Sequence, residues 1–278
     1  MLYFGAMGPG AFRNQVVWIT GASSGVGEGL AVAFAEAGAR VVISARRAAE
    51  LARVRARMAD GDHLVLPMDV TDYSSLAEKV ALVLDRLGRI DVLVCNAGIS
   101  QRSRFAETTL DVFRTIMEVN VMGPAAHIHA VLPVMRAQGG GHVVVTSSVA
   151  GKFGIPNRSA YCASKHAVHG LCDALRAEHG PDRIHFSTLI IAAVKSDVNA
   201  NAFKADGSKV GKDSKWGRGA GMDAVEAGRL MVRKLARRDE EIVVVANWRA
   251  GVPLYQQRLD PRLVYRRMAR LAFSKWWS

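Results

Sequence analysis

Short runs rich in β-branched residues recur along the chain at positions 16–20, 40–44, 63–67, 91–95, 142–146, 184–191 and 241–245, and longer helical patterns separate them. This alternation is the strongest constraint on the fold, because it builds stacked βαβ units. Several of the runs are apolar on both faces (VVWIT, VLVC, VVVT). A strand of that kind belongs in a parallel sheet covered by helices on each side, with right-handed crossovers. Leu76, Val80, Val83, Leu84 and Leu87 repeat at helical spacing before Gly88, and Leu171, Leu175 and His179 do so before Gly180 and Pro181. Both patterns therefore end on a stop signal.

The chain has 278 residues, half of them hydrophobic, with 37 Lys plus Arg against 25 Asp plus Glu and a net charge of +12. Length allows one large α/β domain, and composition excludes a disordered, collagenous or disulfide-scaffolded chain. Three cysteines fit a reducing cytoplasm. No apolar run reaches the roughly 18 residues of a membrane-spanning helix. Residues 1–10 (MLYFGAMGPG) carry no Lys or Arg and do not form a secretory signal. Residues 1–13 are read as a tag remnant or disordered N-terminus.

The first run leads straight into Thr20-Gly21-Ala22-Ser23-Ser24-Gly25-Val26-Gly27, which opens a helix expected over 28–38. Glycines there let the backbone approach a pyrophosphate, whose charge the helix N-terminal N–H groups meet. The alternative is a plain tight turn. The second run ends in Arg46-Arg47 with no acid. An adenosine 2′-phosphate would find cations there, which favours NADP over NAD, although the same arginines would suit a solvated helix start. Asp69 after the third run is placed to accept from an adenine amine or to cap the next helix.

Tyr161 is the only tyrosine with a lysine four residues on, Lys165, so the two share a helix face. An ammonium beside a phenol favours the phenolate and equips Tyr161 for general acid/base work. A coincidental surface pair would look the same, but Ser148 falls thirteen residues earlier at a strand end, where open α/β sheets bind ligands.

Taken together, the glycine turn, Asn96-Ala97-Gly98, Asn120, Ser147-Ser148 and Tyr161/Lys165 resemble the short-chain dehydrogenase/reductase family over about residues 14–250. The resemblance implies a single Rossmann-type doubly wound domain with a seven-stranded parallel sheet. It implies Tyr161 as proton donor to a carbonyl, Ser148 holding the carbonyl oxygen, Lys165 gripping the nicotinamide ribose, and Asn120 anchoring a proton-relay water. Its cofactor set comprises Gly21, Ser23, Ser24, Gly25, Val26, Gly27, Arg46, Arg47, Asp69, Val70, Asn96, Ala97, Gly98, Tyr161, Lys165, Val194 and Ser196. Residues 96–103 (NAGISQRS), 155–161 (IPNRSAY), 164–167 (SKHA) and 205–208 (ADGS) are similar to the branch of members 7 and 7B. The implied activity is NADP(H)-dependent interconversion of a hydrophobic ketone or aldehyde and its alcohol, in a homodimer or homotetramer.

One departure stands out. Where the family has Pro-Gly after the sixth strand, this chain has Ile191-Ala192, with Ser196 for the usual Thr. Either the turn beneath the nicotinamide differs, or nicotinamide binding weakens, or positive φ was never needed there. This departure also motivates an alternative function, a cofactor-binding regulatory or scaffold protein with weak catalysis.

Cys162, His166, His169 and Asp173 form a stripe with metal-ligating residue types. Packing or a subunit contact is the simpler reading, so no metal is expected, and Cys95 and Cys172 are read as core. Arg53, Arg55 and Arg57 read as a solvated face, and no nucleic-acid-binding motif accompanies them. Residues 199–222 read as a mobile substrate loop. Residues 251–278 read as a basic amphipathic extension with a helix from Pro261. Its bases (Arg258, Arg262, Arg266, Arg267, Arg270, Lys275) and apolar residues (Leu263, Val264, Met268, Leu271, Phe273, Trp276, Trp277) suit docking on the protein or a subunit, or peripheral contact of a cytoplasmic protein with an anionic membrane.

Overall fold

Strands of mixed burial would report a half-exposed sheet, but β1 (Val16–Thr20) and β4 (Val92–Cys95) are buried at every position. The computed structural model describes residues 11–212, 221–246 and 248–272. Between those strands come α1 (Gly25–Glu36), β2 (Arg40–Ser44), α2 (Ala48–Arg55), β3 (Leu64–Val65) and α3 (Leu76–Leu87). After β4 follow α4 (Leu110–Met117), α5 (Gly123–Ala137), β5 (Gly141–Ser148), α6 (Ser159–His179), β6 (Ile184–Ala192), α7 (Ala224–Leu235) and β7 (Glu241–Val245). Two helices close the described chain, α8 (Trp248–Leu259) and α9, which opens on Pro261 and runs to Ala272.

The sheet has seven parallel strands in the order β3-β2-β1-β4-β5-β6-β7. The Rossmann-type doubly wound fold expected from the sequence is thus present. The chain starts at β1, runs outward to β3, then returns beside β1 as β4, pairing Trp18 with Leu93. That reversal opens a crevice at the carboxyl ends of β1 and β4, where such sheets take ligands.

Strand periodicity sorts the two cores. Val17 and Ile19 face α1, α2 and α7 with Leu30, Phe34, Leu51 and Met231. Val16 and Trp18 face α3, α5 and α6 with Val83, Leu87, Ile128, Met135 and Val168. Each such side chain contributes about 1.5–3 kcal/mol by leaving water. Trp18 also donates its indole N–H to Ser44 Oγ at 2.8 Å, so its one polar atom is satisfied. Helix ends follow local chemistry: Gly88 closes α3 at φ 79°, and Asp223 caps α7 by accepting from Val225 and Glu226 N–H at 2.9 and 3.2 Å.

Some expectations shift. The run at 63–67 shrinks to Leu64–Val65, an edge strand ahead of Pro67, which has no N–H for the ladder. Arg53 and Arg57 are not merely a solvated face, because both pair with the buried carboxylate of Glu28 on α1. The described part of the segment read as a mobile loop is stitched down. Phe203 bridges to Gln101, its N–H donates to Ser100 O at 2.8 Å, and Arg102 N–H donates to Phe203 O at 2.7 Å. Positions 1–10, 213–220, 247 and 273–278, including Phe273, Lys275, Trp276 and Trp277, lie outside the described residues. Among the described residues no helix is long and apolar enough to cross a membrane.

Candidate active site

Backbone space defines the first side of the crevice. Gly21 and Gly25 take φ of 66° and 56°. A Cβ on Gly27 would lie 2.3 Å from Gly21 O and 2.5 Å from Asn96 Nδ2, so only glycine fits there. Asn96 fastens this turn, donating to Thr20 O and Gly21 O at 3.1 and 3.2 Å, while Thr20 Oγ1 accepts from the N–H groups of Asn96 and Ala97. Ser196 reaches the same turn, since a Cβ on Gly25 would meet its Cβ at 2.6 Å.

The residues suit a dinucleotide. Ser24 at the N-cap of α1 makes no side-chain capping bond, which leaves first-turn N–H groups for a phosphate. The acid in that turn, Glu28, is neutralised: hydrogen bonds from Arg53 hold its carboxyl below the usual range against the opposing effect of burial. At the end of β2, Arg46 is 75% exposed and sits 3.7 Å from Asp69, and Arg47 donates to Ser23 Oγ at 3.4 Å. Asp69 itself accepts from Thr71 N–H and Oγ1 at 3.0 and 2.8 Å, forming a turn ahead of the buried Val70.

Buried polar groups define the second side. β5 ends on Ser148, whose Oγ accepts from Ala150 N–H at 3.2 Å and whose hydroxyl lowers the Tyr161 phenol pKa against the effect of burial. Lys165, one helical turn beyond Tyr161, is buried, donates to Thr146 O at 2.7 Å and lies 5.7 Å from the Tyr161 ring centroid. Burial pushes its ammonium down to about 8. Asn120 sits in a π-helical turn, Glu118–Met122, inserted between α4 and α5. Its Nδ2 donates to Ile99 O and Ser164 Oγ, both at 2.9 Å, and its Oδ1 accepts from Ile99 N–H at 2.9 Å. Gly98 leaves space beside it, since a Cβ there would lie 3.3 Å from Asn120 Oδ1 and 3.5 Å from Lys165 Nζ. Asn120, Ser148, Tyr161 and Lys165 are thus gathered at one end of the sheet.

The electrostatics differ from the sequence expectation. Burial raises the Tyr161 phenol, and the cation that opposes this most is Arg158, with the Ser148 hydrogen bond next. The Arg158 guanidinium lies 5.7 Å from the Tyr161 ring centroid and donates to Asn199 Oδ1 at 2.8 Å. Arg102 reaches the same Asn199 oxygen at 3.5 Å. Gln101, fully buried, fixes the start of α6 by accepting from Ala160 N–H at 2.8 Å. Arg158, Arg102, Gln101 and Asn199 were not among the sequence-derived site residues. For Gln101, Arg102 and Arg158 the only signal was their presence in the 96–103 and 155–161 stretches, which carried family likeness but no role, and Asn199 opened the segment read as a mobile loop.

Among the alternatives open at the turn after β6, the structure shows a different turn. Ala192 remains in the strand without positive φ, and the left-handed residue is Ala193, at φ 57°. Met222 pins it, donating to Ala193 O and accepting from Lys195 N–H, both at 2.9 Å. Val194 forms an isolated bridge with Met222. The Cys162 stripe disperses: His166 Nδ1 meets Cys162 O, His169 Nε2 meets Ser147 Oγ at 3.0 Å, and Asp173 pairs with Arg176. Cys95 and Cys172 are buried.

A glycine-cradled crevice at the switch point of a parallel sheet, with Ser, Tyr and Lys beside it, defines an oxidoreductase of the Rossmann type. The family of short chain dehydrogenases matches residues 15–207. A dehydrogenase/reductase SDR family protein 7-like of Drosophila melanogaster is 39% identical over 272 residues, covering 94% of this chain and 82% of the relative. Dehydrogenase/reductase SDR family member 7B of Rattus norvegicus is 36% identical over 268 residues, covering 94% and 82%. A short-chain dehydrogenase from Streptomyces avermitilis superposes with a TM-score of 0.78 at 31% identity, covering 93% of this chain and 97% of that one. The chain belongs to the short-chain dehydrogenase/reductase family.

Proposed function

We propose that the protein interconverts a hydrophobic ketone or aldehyde and the corresponding alcohol, using NADP(H). The reading is carried by the convergence of Ser148, Tyr161, Lys165 and Asn120 beside the glycine turn. The cofactor, when bound, supplies or accepts the hydride. Tyr161 gives a proton from its phenolic Oη to the carbonyl oxygen during reduction and recovers it in the reverse direction. Ser148 donates to the same oxygen and orients it. Lys165, freed from Thr146 O, holds the ribose and keeps a positive charge near Tyr161. Asn120 fixes Ile99 and Ser164 and thereby the floor on which proton-relay water would sit.

Cofactor preference follows from the cations at the end of β2. Arg46 is exposed and among the described residues its ion pair is a 3.7 Å contact with Asp69, so it is able to turn to a 2′-phosphate, with Arg47 beside Ser23. Gly21, Ser23, Ser24, Gly25, Val26 and Gly27 would cradle the pyrophosphate, and Asp69 and Val70 the adenine. Asn96, Ala97, Gly98, Val194 and Ser196 would line the nicotinamide end. Mixing the protein with NADPH and a panel of lipid, steroid and aromatic carbonyls tests the assignment through loss of NADPH absorbance. Turnover in wild type and its loss in Tyr161→Phe is the expected result, and equal turnover by that variant sinks the mechanism.

A second reading, peripheral membrane contact, is favoured by the C-terminal helices. Leu259 is 86% exposed and Tyr255, Leu263 and Tyr265 are also exposed, on the helices that carry Arg262, Arg266, Arg267 and Arg270. Such a surface suits an anionic bilayer. Sedimentation with phosphatidylserine vesicles should retain the protein, and removal of residues after Pro261 should release it. Equal retention of both forms rejects the tail as the contact.

A further inference from the structure

Ser147 and His169 take part in no step of the proposed chemistry, yet both are buried beside the residues that do. Ser147 lies on β5 between Thr146, whose carbonyl accepts from Lys165, and Ser148. Side chains alternate along a strand, so Ser147 shares a face with Val143 and Val145, which pack with Val168 and Cys172 of α6. His169 lies on α6 four residues beyond Lys165, on the same side of the helix.

The two meet at the lysine's own backbone. Ser147 Oγ donates to Lys165 O at 3.2 Å and lies 3.0 Å from His169 Nε2. A hydroxyl has one hydrogen, so with that hydrogen on Lys165 O the His169 ring donates from Nε2. Burial first and the charge of Lys152 second push His169 down to about 4, against the opposing charges of Glu241 and Asp173, and His166 is the remaining titratable neighbour. The ring is therefore neutral and carries a single N–H. Its other nitrogen, Nδ1, faces Glu241 Oε1 at 3.7 Å. That carboxylate is balanced by two cations, Lys152 on Oε1 and Arg258 of α8 on Oε2, the latter at 2.9 Å. Gly151 leaves the space in which the contacts form. A Cβ there would lie 2.6 Å from both Lys165 O and Ser147 Oγ, and 3.0 Å from His169 Cδ2.

We propose that Ser147 and His169 are positioning residues for Lys165: the link from His169 through Ser147 to the Lys165 carbonyl fixes α6 against the end of β5, and so fixes where the ammonium meets the nicotinamide ribose. This rests on the reductase reading and extends it from the residues that touch the cofactor to those that hold them. Three successive residues of β5 then divide the work. Thr146 O receives the ammonium, Ser147 fixes the helix that carries it, and Ser148 faces the substrate oxygen.

The test is calorimetric titration of the full-length protein with NADP+ and, in parallel, with adenosine 2′,5′-bisphosphate, which carries the adenosine phosphates but no nicotinamide ribose. Ser147→Ala and His169→Leu should each weaken NADP+ binding about fivefold, a change of about 1 kcal/mol, and leave the bisphosphate within about twofold. A general loss of structure would weaken both. His169→Gln keeps a donor in place of Nε2 and should bring NADP+ binding back to within about twofold of wild type, which keeps the test sound should Ser147→Ala fold poorly. Combining Ser147→Ala with His169→Leu should weaken NADP+ no further than Ser147→Ala alone, because the two residues act in series. Unchanged NADP+ binding in both single variants, equal weakening of both nucleotides, no recovery in His169→Gln, or additive losses in the double variant overturns the link. The two readings fail separately. Wild type that binds neither nucleotide brings down the cofactor reading and the link with it, whereas NADP+ bound equally by wild type and variants counts against the link alone.

Discussion

At the β1 side of the crevice the constraint is empty space, and at the β5 and β6 side it is buried charge. Around Gly21, Gly25 and Gly27 the backbone itself is the surface offered to a ligand, so added atoms do the damage. Around Tyr161 the packing is ordinary, but Lys165 is buried and Arg102 and Arg158 are half-buried, so changes of charge do the damage. On the proposed function, the difference divides one cleft between two jobs: holding a large, polar cofactor by main-chain fit, and tuning a proton transfer by desolvated side chains.

The comparison is sharpened most by Tyr161→Phe. Loss of a general acid/base should lower kcat by about a thousandfold while the dissociation constant for NADP+, read by fluorescence titration, moves less than twofold. A large change in cofactor affinity would blur the division. The next effect belongs to the other side. Substituting Arg46 and Arg47 together by Ser removes charge-assisted bonds worth about 1.5–3 kcal/mol, so the Kd for NADPH should rise roughly tenfold to a hundredfold, with NADH binding unchanged. Equal weakening of both cofactors would remove these arginines from phosphate recognition.

Acid stability probes the charge-burying side. His142 on β5 is pushed down to about 3 by burial first and Arg238 second, and His169 on α6 to about 4 by burial first and Lys152 second. Their folded pKa values lie below the unfolded value near 6.5, so the unfolded chain binds more protons. The stability they contribute is complete above pH 6.5 and is lost as pH falls toward 4. Between pH 7 and pH 5 each should cost about 2 kcal/mol, seen as a lower urea midpoint. An unchanged midpoint would show that these histidines are not held neutral. The smallest effect tests Ala193, the positive-φ alanine among the described residues. Ala193→Gly relieves left-handed strain of about 1 kcal/mol, so the melting temperature should rise by a few degrees, and a fall would place the restraint in Met222 rather than in φ.

Legibility in the sequence followed distance along the chain. Strand periodicity marked all seven strands, with β1, β2 and β7 at their observed ends. The glycine turn was readable because residues 20–27 are contiguous and each glycine acts on its own neighbours. Tyr161 and Lys165 were readable because one helical turn joins them. The family's Pro-Gly position pointed to Ala192, but hydrogen bonds from Met222, thirty residues away in the chain, move the left-handed residue to Ala193. The π turn at Asn120 had no sequence mark, since an inserted residue in a helix is chosen by what the helix packs against.

Local sequence thus determined the parallel sheet, the glycine turn and the placing of Tyr161 and Lys165 on one helix face, because each depends on interactions within a few residues. Only the tertiary structure brought Arg102, Arg158 and Asn199 to one atom, and only it decided how far Tyr161, Lys165 and His169 are removed from water. Desolvation is a property of everything that surrounds a group, and no stretch of sequence contains its own surroundings.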